Sequence, residues 1–181
     1  MSDHRVPDPY AALPDLPALE VTSESFTEGA TLAPAQRSGR MGVEGGGDVS
    51  PQVSWSAGPE GTGGYVVTVF DPDAPTASGF WHWSVANIPA DVTSLPAGAC
   101  TADDTSGLPS GAVVLRNDAG YHGFVGAAPP EGHGPHRYML AVHAVPSAEL
   151  PVDADASCAY LGFTLFGEAT ARGVLTGVFE A

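Results

Sequence analysis

Positive charge is what this chain has least of. Lys and Arg together number six against 21 Asp and Glu, a formal net charge of −15. Nucleic acid is excluded as a partner, because holding it needs clustered basic side chains that release counterions. Docking on an anionic membrane surface through a basic patch is excluded for the same reason. One small anion in a local pocket is not excluded, but such a pocket must draw its donors from His, Tyr and backbone N–H groups. Long apolar runs are also missing: nothing approaches the ~18 residues that a membrane-spanning helix requires. Met1–Tyr10 is polar and contains proline, without the apolar centre of a secretory signal. Cysteine is limited to Cys100 and Cys158, neither in a Cys-x-x-Cys pattern. Two such isolated thiols read as free groups in a cytoplasmic protein, with one disulfide between them left open.

What is abundant is apolar residues, glycine and proline. Apolar residues make up 43% and charged residues 15% of 181, which implies a packed core in one domain. With 23 Gly and 17 Pro, that core is expected to be built from short strands and many turns. Residues 1–18 carry Pro7, Pro9, Pro14 and Pro17 and read as an extended arm; 19–181 read as the folded domain. Val21–Phe26 can begin the fold as a strand. Gly42–Asp48 is glycine-rich but lacks the Lys and Ser/Thr of a phosphate-cradling loop, so it reads as a turn. Tyr65–Phe70 is β-branched and aromatic throughout and apolar on both alternating faces, as in a central strand covered on both sides. Trp81–Ile88 is a second strand, with Trp81, Trp83, Val85 and Asn87 on one face and His82, Ser84, Ala86 and Ile88 on the other. Ala112–Leu115 and Tyr138–Val145 follow, the latter with His136, Tyr138, Leu140 and Val142 in phase. A late helix, capped by Asp155 or Ser157 and ended by Gly173, carries Tyr160, Phe163 and Phe166 or Leu161 and Leu165 at helical spacing. Val174–Phe179 is a last strand. The expected fold class is mainly β, an antiparallel sandwich with a C-terminal helix.

Two clusters carry chemistry. Asp71-Pro72-Asp73-Ala74-Pro75-Thr76 follows the central strand. It is either a stiff loop whose aspartates bond their own backbone, or a functional rim brought by a hairpin beside His82. A carboxylate next to His82 raises the imidazole pKa and fixes its tautomer. The second cluster runs from Gly126 to Tyr138. Three small residues and two prolines can expose N–H groups to an anion. His136 and Tyr138 share a strand face, and Arg137 points away into an ion pair or a buried hydrogen-bonded position. His133, between glycines, reads as a solvent-facing loop residue. Two enzymatic readings stand beside the binding one. Asp71 and His82 could serve a hydrolase with Ser84 as nucleophile, although a regular strand offers no nucleophile elbow. Two His and one or two Asp could also hold zinc. No cofactor is implied.

In order and spacing, Asp71–Thr76, Gly79-Phe80-Trp81-His82-Trp83, Ala86-Asn87-Ile88-Pro89 and Pro129-Pro130-Glu131-Gly132-His133-Gly134-Pro135-His136-Arg137-Tyr138 resemble the bacterial Raf-kinase-inhibitor-like branch of the phosphatidylethanolamine-binding protein family. Asp8–Pro14 and Gly126–Pro130 are similar to actinobacterial members. The resemblance implies two antiparallel sheets with Greek-key connections and an anion pocket at one end of them. It implies pocket carboxylates at Asp71 and Asp73, histidines at His82 and His136, a tyrosine at Tyr138, and a small-residue rim at Ala128 and Pro130. It implies a small anionic or zwitterionic phosphate ligand, a kinase or protease partner, a homodimer, and a cis peptide between Ala74 and Pro75.

Overall fold

The computed structural model describes residues 6–181; the first five residues of the expected arm, with half of the stretch read for a signal, lie outside the described residues. The strands are β1 (Val21–Thr22), β2 (Val53–Trp55), β3 (Gly64–Asp71), β4 (Phe80–Pro89), β5 (Ser94–Leu95), β6 (Val113–Val114), β7 (His136–Val145) and β8 (Ala171–Phe179), with one helix, α1 (Cys158–Glu168), before the last. They form two antiparallel sheets, a short one in the order β1-β2-β5 and a long one in the order β6-β4-β3-β7-β8. The central position of the Tyr65–Phe70 strand follows from its sequence. Tyr65, Val67 and Val69 pack into the core shared with the short sheet, and Val66 packs beneath α1. Such a strand has no face left for water. Val21–Phe26 is a strand only over its first two residues.

β4 departs from simple alternation. Tyr65 pairs with Ile88 but Val67 with Val85, and Val69 pairs with Trp83 but Phe70 with Trp81. β4 therefore carries one extra residue near Asn87, whose φ is +58°, and another at His82. Each bulge reverses the side that follows. Trp81 leaves the face of Trp83 and packs on Phe70 on the helix side, ring centroids 4.4 Å apart, while Trp83, Val85 and Ile88 share the inter-sheet core. The expected common face for Trp81, Trp83, Val85 and Asn87 is thus corrected by the two bulges.

α1 is capped by Ser157, whose hydroxyl accepts from the Tyr160 N–H at 3.1 Å. Asp155 instead reaches Arg116 at 3.5 Å. Cys158, Leu161 and Leu165 face the sheet at helical spacing, whereas Tyr160, Phe163 and Phe166 stay exposed. The helix stops at Glu168, not at Gly173, which lies inside β8. A Cβ on Gly173 would sit 2.3 Å from the Leu19 carbonyl oxygen, so glycine is required there for the incoming chain to lie against β8. Cys100 and Cys158 are free and occupy different core clusters, which removes the disulfide alternative.

Candidate functional site

The site forms where β3, β4 and β7 come together at one end of the long sheet. β3 delivers Asp71, 2% exposed, at its last position. One carboxylate oxygen accepts the Asp73 N–H at 2.8 Å, closing an Asx turn. The rim then reverses around Pro75, where the Thr76 N–H donates to the Ala74 carbonyl at 2.7 Å. A γ-turn of this kind needs only the φ that proline already fixes. The expected cis bond between Ala74 and Pro75 is absent; the peptide is trans. Gly79 returns the chain with φ +68°, and a Cβ there would meet the Phe70 ring at 2.4 Å.

β7 begins with His136, 2% exposed, whose Nδ1 lies 2.7 Å from the second Asp71 oxygen. A carboxylate only accepts, so this nitrogen carries the proton and Nε2 is turned outward. Nε2 is met at 2.7 Å by Nδ1 of His133. Asp71, His136 and His133 thus form one chain of hydrogen bonds from the buried strand end to the surface. The solvent-facing reading of His133 is half right: the residue is exposed, but its ring docks on His136. A signal was present in Pro130-Glu131-Gly132-His133. The His133 N–H bonds the Pro130 carbonyl across Gly132, whose φ is +73°, as in a type II turn. That turn throws the chain back over His136.

His82 sits on the bulge and faces Tyr138 edge-on, ring centroids 5.1 Å apart. Its Nδ1 lies 2.8 Å from the Val125 carbonyl and therefore carries the proton, which leaves Nε2 as an acceptor. Burial pushes the His82 pKa down, against the Val125 carbonyl and the Asp71 charge, which favour the protonated ring. Tyr138 is 3% exposed; the Ala128 N–H points toward its hydroxyl oxygen, and the hydroxyl's own proton has no acceptor. Burial first, then the charges of Asp71 and Asp73, raise its pKa, so the proton stays on the oxygen as an unused donor.

These side chains line a pocket of about 200 Å³. Asp71, His82, Ala128, Pro130, His136 and Tyr138 are on its wall, joined by Met41 and Phe80, which sequence reasoning did not single out. Asp73 is not on it. The Asx turn points its carboxylate to the outer side, where Arg137 bonds both oxygens at 2.7 Å and the Arg137 N–H adds a bond at 3.0 Å. Burial works against ionisation of Asp73, but the Arg137 bonds outweigh it and hold the pKa below the ordinary range. Asp73 is therefore a clamp between rim and strand, and its expected place among the pocket's ligand groups is corrected by the direction of the turn. The Gly126–Pro130 loop also offers fewer donors than expected. Its Gly126 N–H is taken by Asp48 at 2.8 Å and its Ala127 N–H by the Gln36 carbonyl at 2.9 Å. Asp48, inside the glycine-rich turn, thus positions the pocket's far wall. A Cβ on Gly126 would fall 2.3 Å from the Arg37 carbonyl carbon, so that approach needs glycine.

Ser84 is fully buried and pairs across the sheet with Thr68 on the helix side, away from His82, so the two do not form a nucleophile and base. Among the described residues, no three His, Cys, Asp or Glu side chains converge as metal ligands, and no helix is long and apolar enough to cross a membrane.

Comparison with known proteins adds a consistent set of relatives. The family model for phosphatidylethanolamine-binding protein matches residues 22–180. The chain is 47% identical to the UPF0098 protein YbcL of Escherichia coli K12 over 163 residues, 90% of this chain and 88% of that one. It is 38% identical to YbhB of the same organism, over 90% of this chain and all of that one. The crystal structure of E. coli YbcL superposes with a TM-score of 0.86, covering 90% of this chain and 98% of that one. A Mycobacterium tuberculosis relative, 31% identical over 96% of this chain and 78% of its own length, carries a lipoprotein name, LppC, which leaves the expected cytoplasmic location without support.

Proposed function

The chain belongs to the phosphatidylethanolamine-binding protein family, and from that premise we propose that its pocket binds a small phosphate-bearing molecule, a phosphate headgroup or free phosphate ester, without turning it over. Family membership supports a ligand-binding role; the Tyr138 hydroxyl carries the finer reading. It is a buried donor held in its protonated form, its proton has no acceptor in the protein, and Tyr138 lines a pocket of about 200 Å³. A buried donor left unpaired costs about 1–3 kcal/mol, which an anionic oxygen would return. His82 Nε2 supplies the complementary acceptor. A phosphate that keeps one P–O–H can donate there while another of its oxygens accepts from Tyr138. His136 Nε2, an acceptor while Nδ1 holds its proton toward Asp71, offers a second place for a P–O–H once His133 moves aside. Asp71 has both oxygens engaged, so its part is to orient His136 and not to hold a ligand amine.

Titration calorimetry of inorganic phosphate, phosphoethanolamine and a nucleotide tests this reading. Saturable heat is expected from wild type with at least one of them. Tyr138→Phe should weaken it about tenfold, the worth of one hydrogen bond to a charged group, and His136→Ala should abolish it. Because free His82 is neutral, a fully ionised phosphate must bring a proton with it. Affinity should fall as pH rises from 5.5 to 8.5. No heat from wild type with any of the three, or affinity flat across that range, would overturn the reading.

A further inference from the structure

The opposite face of the long sheet holds a second cavity, larger than the first at about 300 Å³. Its floor is the helix-side surface of β3, β4 and β7, where Thr68, Trp81 and His143 lie. Leu161, Gly162 and Leu165 of α1 form one wall, and Tyr10 and Leu13 of the arm form the other. The arm is tied down there. An Arg172 guanidinium N–H donates to the Pro14 carbonyl at 3.1 Å, and the guanidinium carbon lies 5.6 Å from the centre of the Tyr10 ring. The rest of the lining is almost wholly hydrocarbon.

Two polar side chains interrupt it. Thr68 is 2% exposed and His143 is 4% exposed; the His143 Nδ1 has no hydrogen-bond partner, and the Thr68 hydroxyl, otherwise unpaired, turns toward the arm's Tyr10 hydroxyl. Buried polar groups are normally paired, so an unpaired nitrogen beside so thinly held a hydroxyl on the floor of one cavity marks a place where something polar belongs. The lining contains no carboxylate, and its one guanidinium is already engaged, so no cation is invited. Burial drives the His143 pKa down to about 3, with the Arg172 charge adding to it, so that ring is a neutral acceptor or donor and not a counter-ion.

We infer that this cavity is a second ligand site, for an uncharged amphiphile whose apolar body lies between α1 and the arm and whose hydroxyl bonds Thr68 and His143. The size fits. A dry apolar cavity of ~150 Å³ holds one benzene ring, and twice that volume takes a ring with an alkyl chain. Leu13 and Phe166, which line the cavity, keep 37% and 64% of their surface exposed, as expected at a mouth through which such a body enters.

Gly162 makes the test clean, because a Cβ built there meets no other atom within 4 Å. Gly162→Leu should fill the cavity without disturbing the helix, a point checked by far-UV circular dichroism. With the full chain, 4-octylphenol should saturate at one molecule per chain, read by Trp81 fluorescence and by a raised thermal midpoint. Gly162→Leu should weaken it about tenfold or more, since an already filled site resists overpacking, while leaving phosphate heats unchanged. Thr68→Val should erase the preference for 4-octylphenol over octylbenzene, about three- to tenfold for one neutral hydrogen bond. No saturable binding by wild type, unaltered binding by Gly162→Leu, or a phenol preference that survives Thr68→Val would overturn the inference. So would a wild-type dimer that admits the probe only on dissociation, because the occupant would then be a second copy of the chain.

Discussion

β7 carries two buried histidines, His136 at its start and His143 near its end, and the chain treats them in opposite ways. His136 is gripped on both ring nitrogens, by Asp71 and by His133, in a pocket where most polar atoms already have a place. His143 sits among Leu161, Trp81 and Tyr10 with its Nδ1 unpaired, and burial empties it of charge. They are seven positions apart on one strand, an odd number, and therefore open on opposite faces of the sheet. The difference separates two kinds of preparation for a ligand. The His136 side is wired in advance, with one hydroxyl, Tyr138, held in reserve. The His143 side is a shaped apolar space whose polar atoms wait for a partner.

The largest effect should come from cutting the wire. Asp71→Ala leaves His136 without its carboxylate and the Asp73 N–H without its acceptor. Breaking one side of a buried pair typically costs about 3–5 kcal/mol, readable as a lowered urea midpoint, and phosphate heat should vanish with it. If stability holds, the wiring is ornamental and the contrast with His143 fails.

Acid should sharpen the contrast from the other side. An unfolded His titrates near 6.5, whereas His143 in the fold titrates at about 3. Below pH ~6.5 the unfolded chain takes up a proton that the folded chain refuses, so the stability His143 contributes is full above that pH and is lost as pH falls toward 3. By pH 4 the loss from this residue is about 3 kcal/mol. His82 acts in the same direction, its pKa being lowered mainly by burial. His143→Leu should therefore flatten, without abolishing, the fall in urea midpoint between pH 6.5 and 4; an unchanged slope would mean that His143 is not held neutral.

The smallest effect belongs to the helix wall. Ser157→Ala removes the N-cap of α1 and should cost about 1 kcal/mol. It should loosen 4-octylphenol binding and leave phosphate binding as it was. Equal losses at both sites would show that the two faces are coupled.

Much of the wired side was legible in the sequence. Asp71, His82, His136 and Tyr138 stand in motifs whose order and spacing already resemble a known family, and the pairing of β3 with β4 and β7 brings them together. The outward turn of Asp73 and the contact of the exposed His133 with His136 are not legible there, because both depend on which way a turn throws a side chain. An Asx turn sent Asp73 outward to Arg137, and a type II turn folded His133 inward. The exchange of faces along β4 was equally hidden, since a bulge is a property of two strands paired in register and neither strand announces it alone.

The sequence by itself determined that the chain builds a β-rich core with one late helix, that its net charge is −15, and that it carries the motifs of its family. Those features follow from composition, two-residue periodicity and local motifs, which need no knowledge of distant contacts. Only the tertiary structure decided which histidine is paired and which is stranded, which aspartate faces the pocket, and that an arm, a helix and a sheet face enclose a second cavity. Each of these is fixed by segments far apart in the chain meeting across a packed interface, where desolvation and the available partners, not residue type, set what a side chain can do.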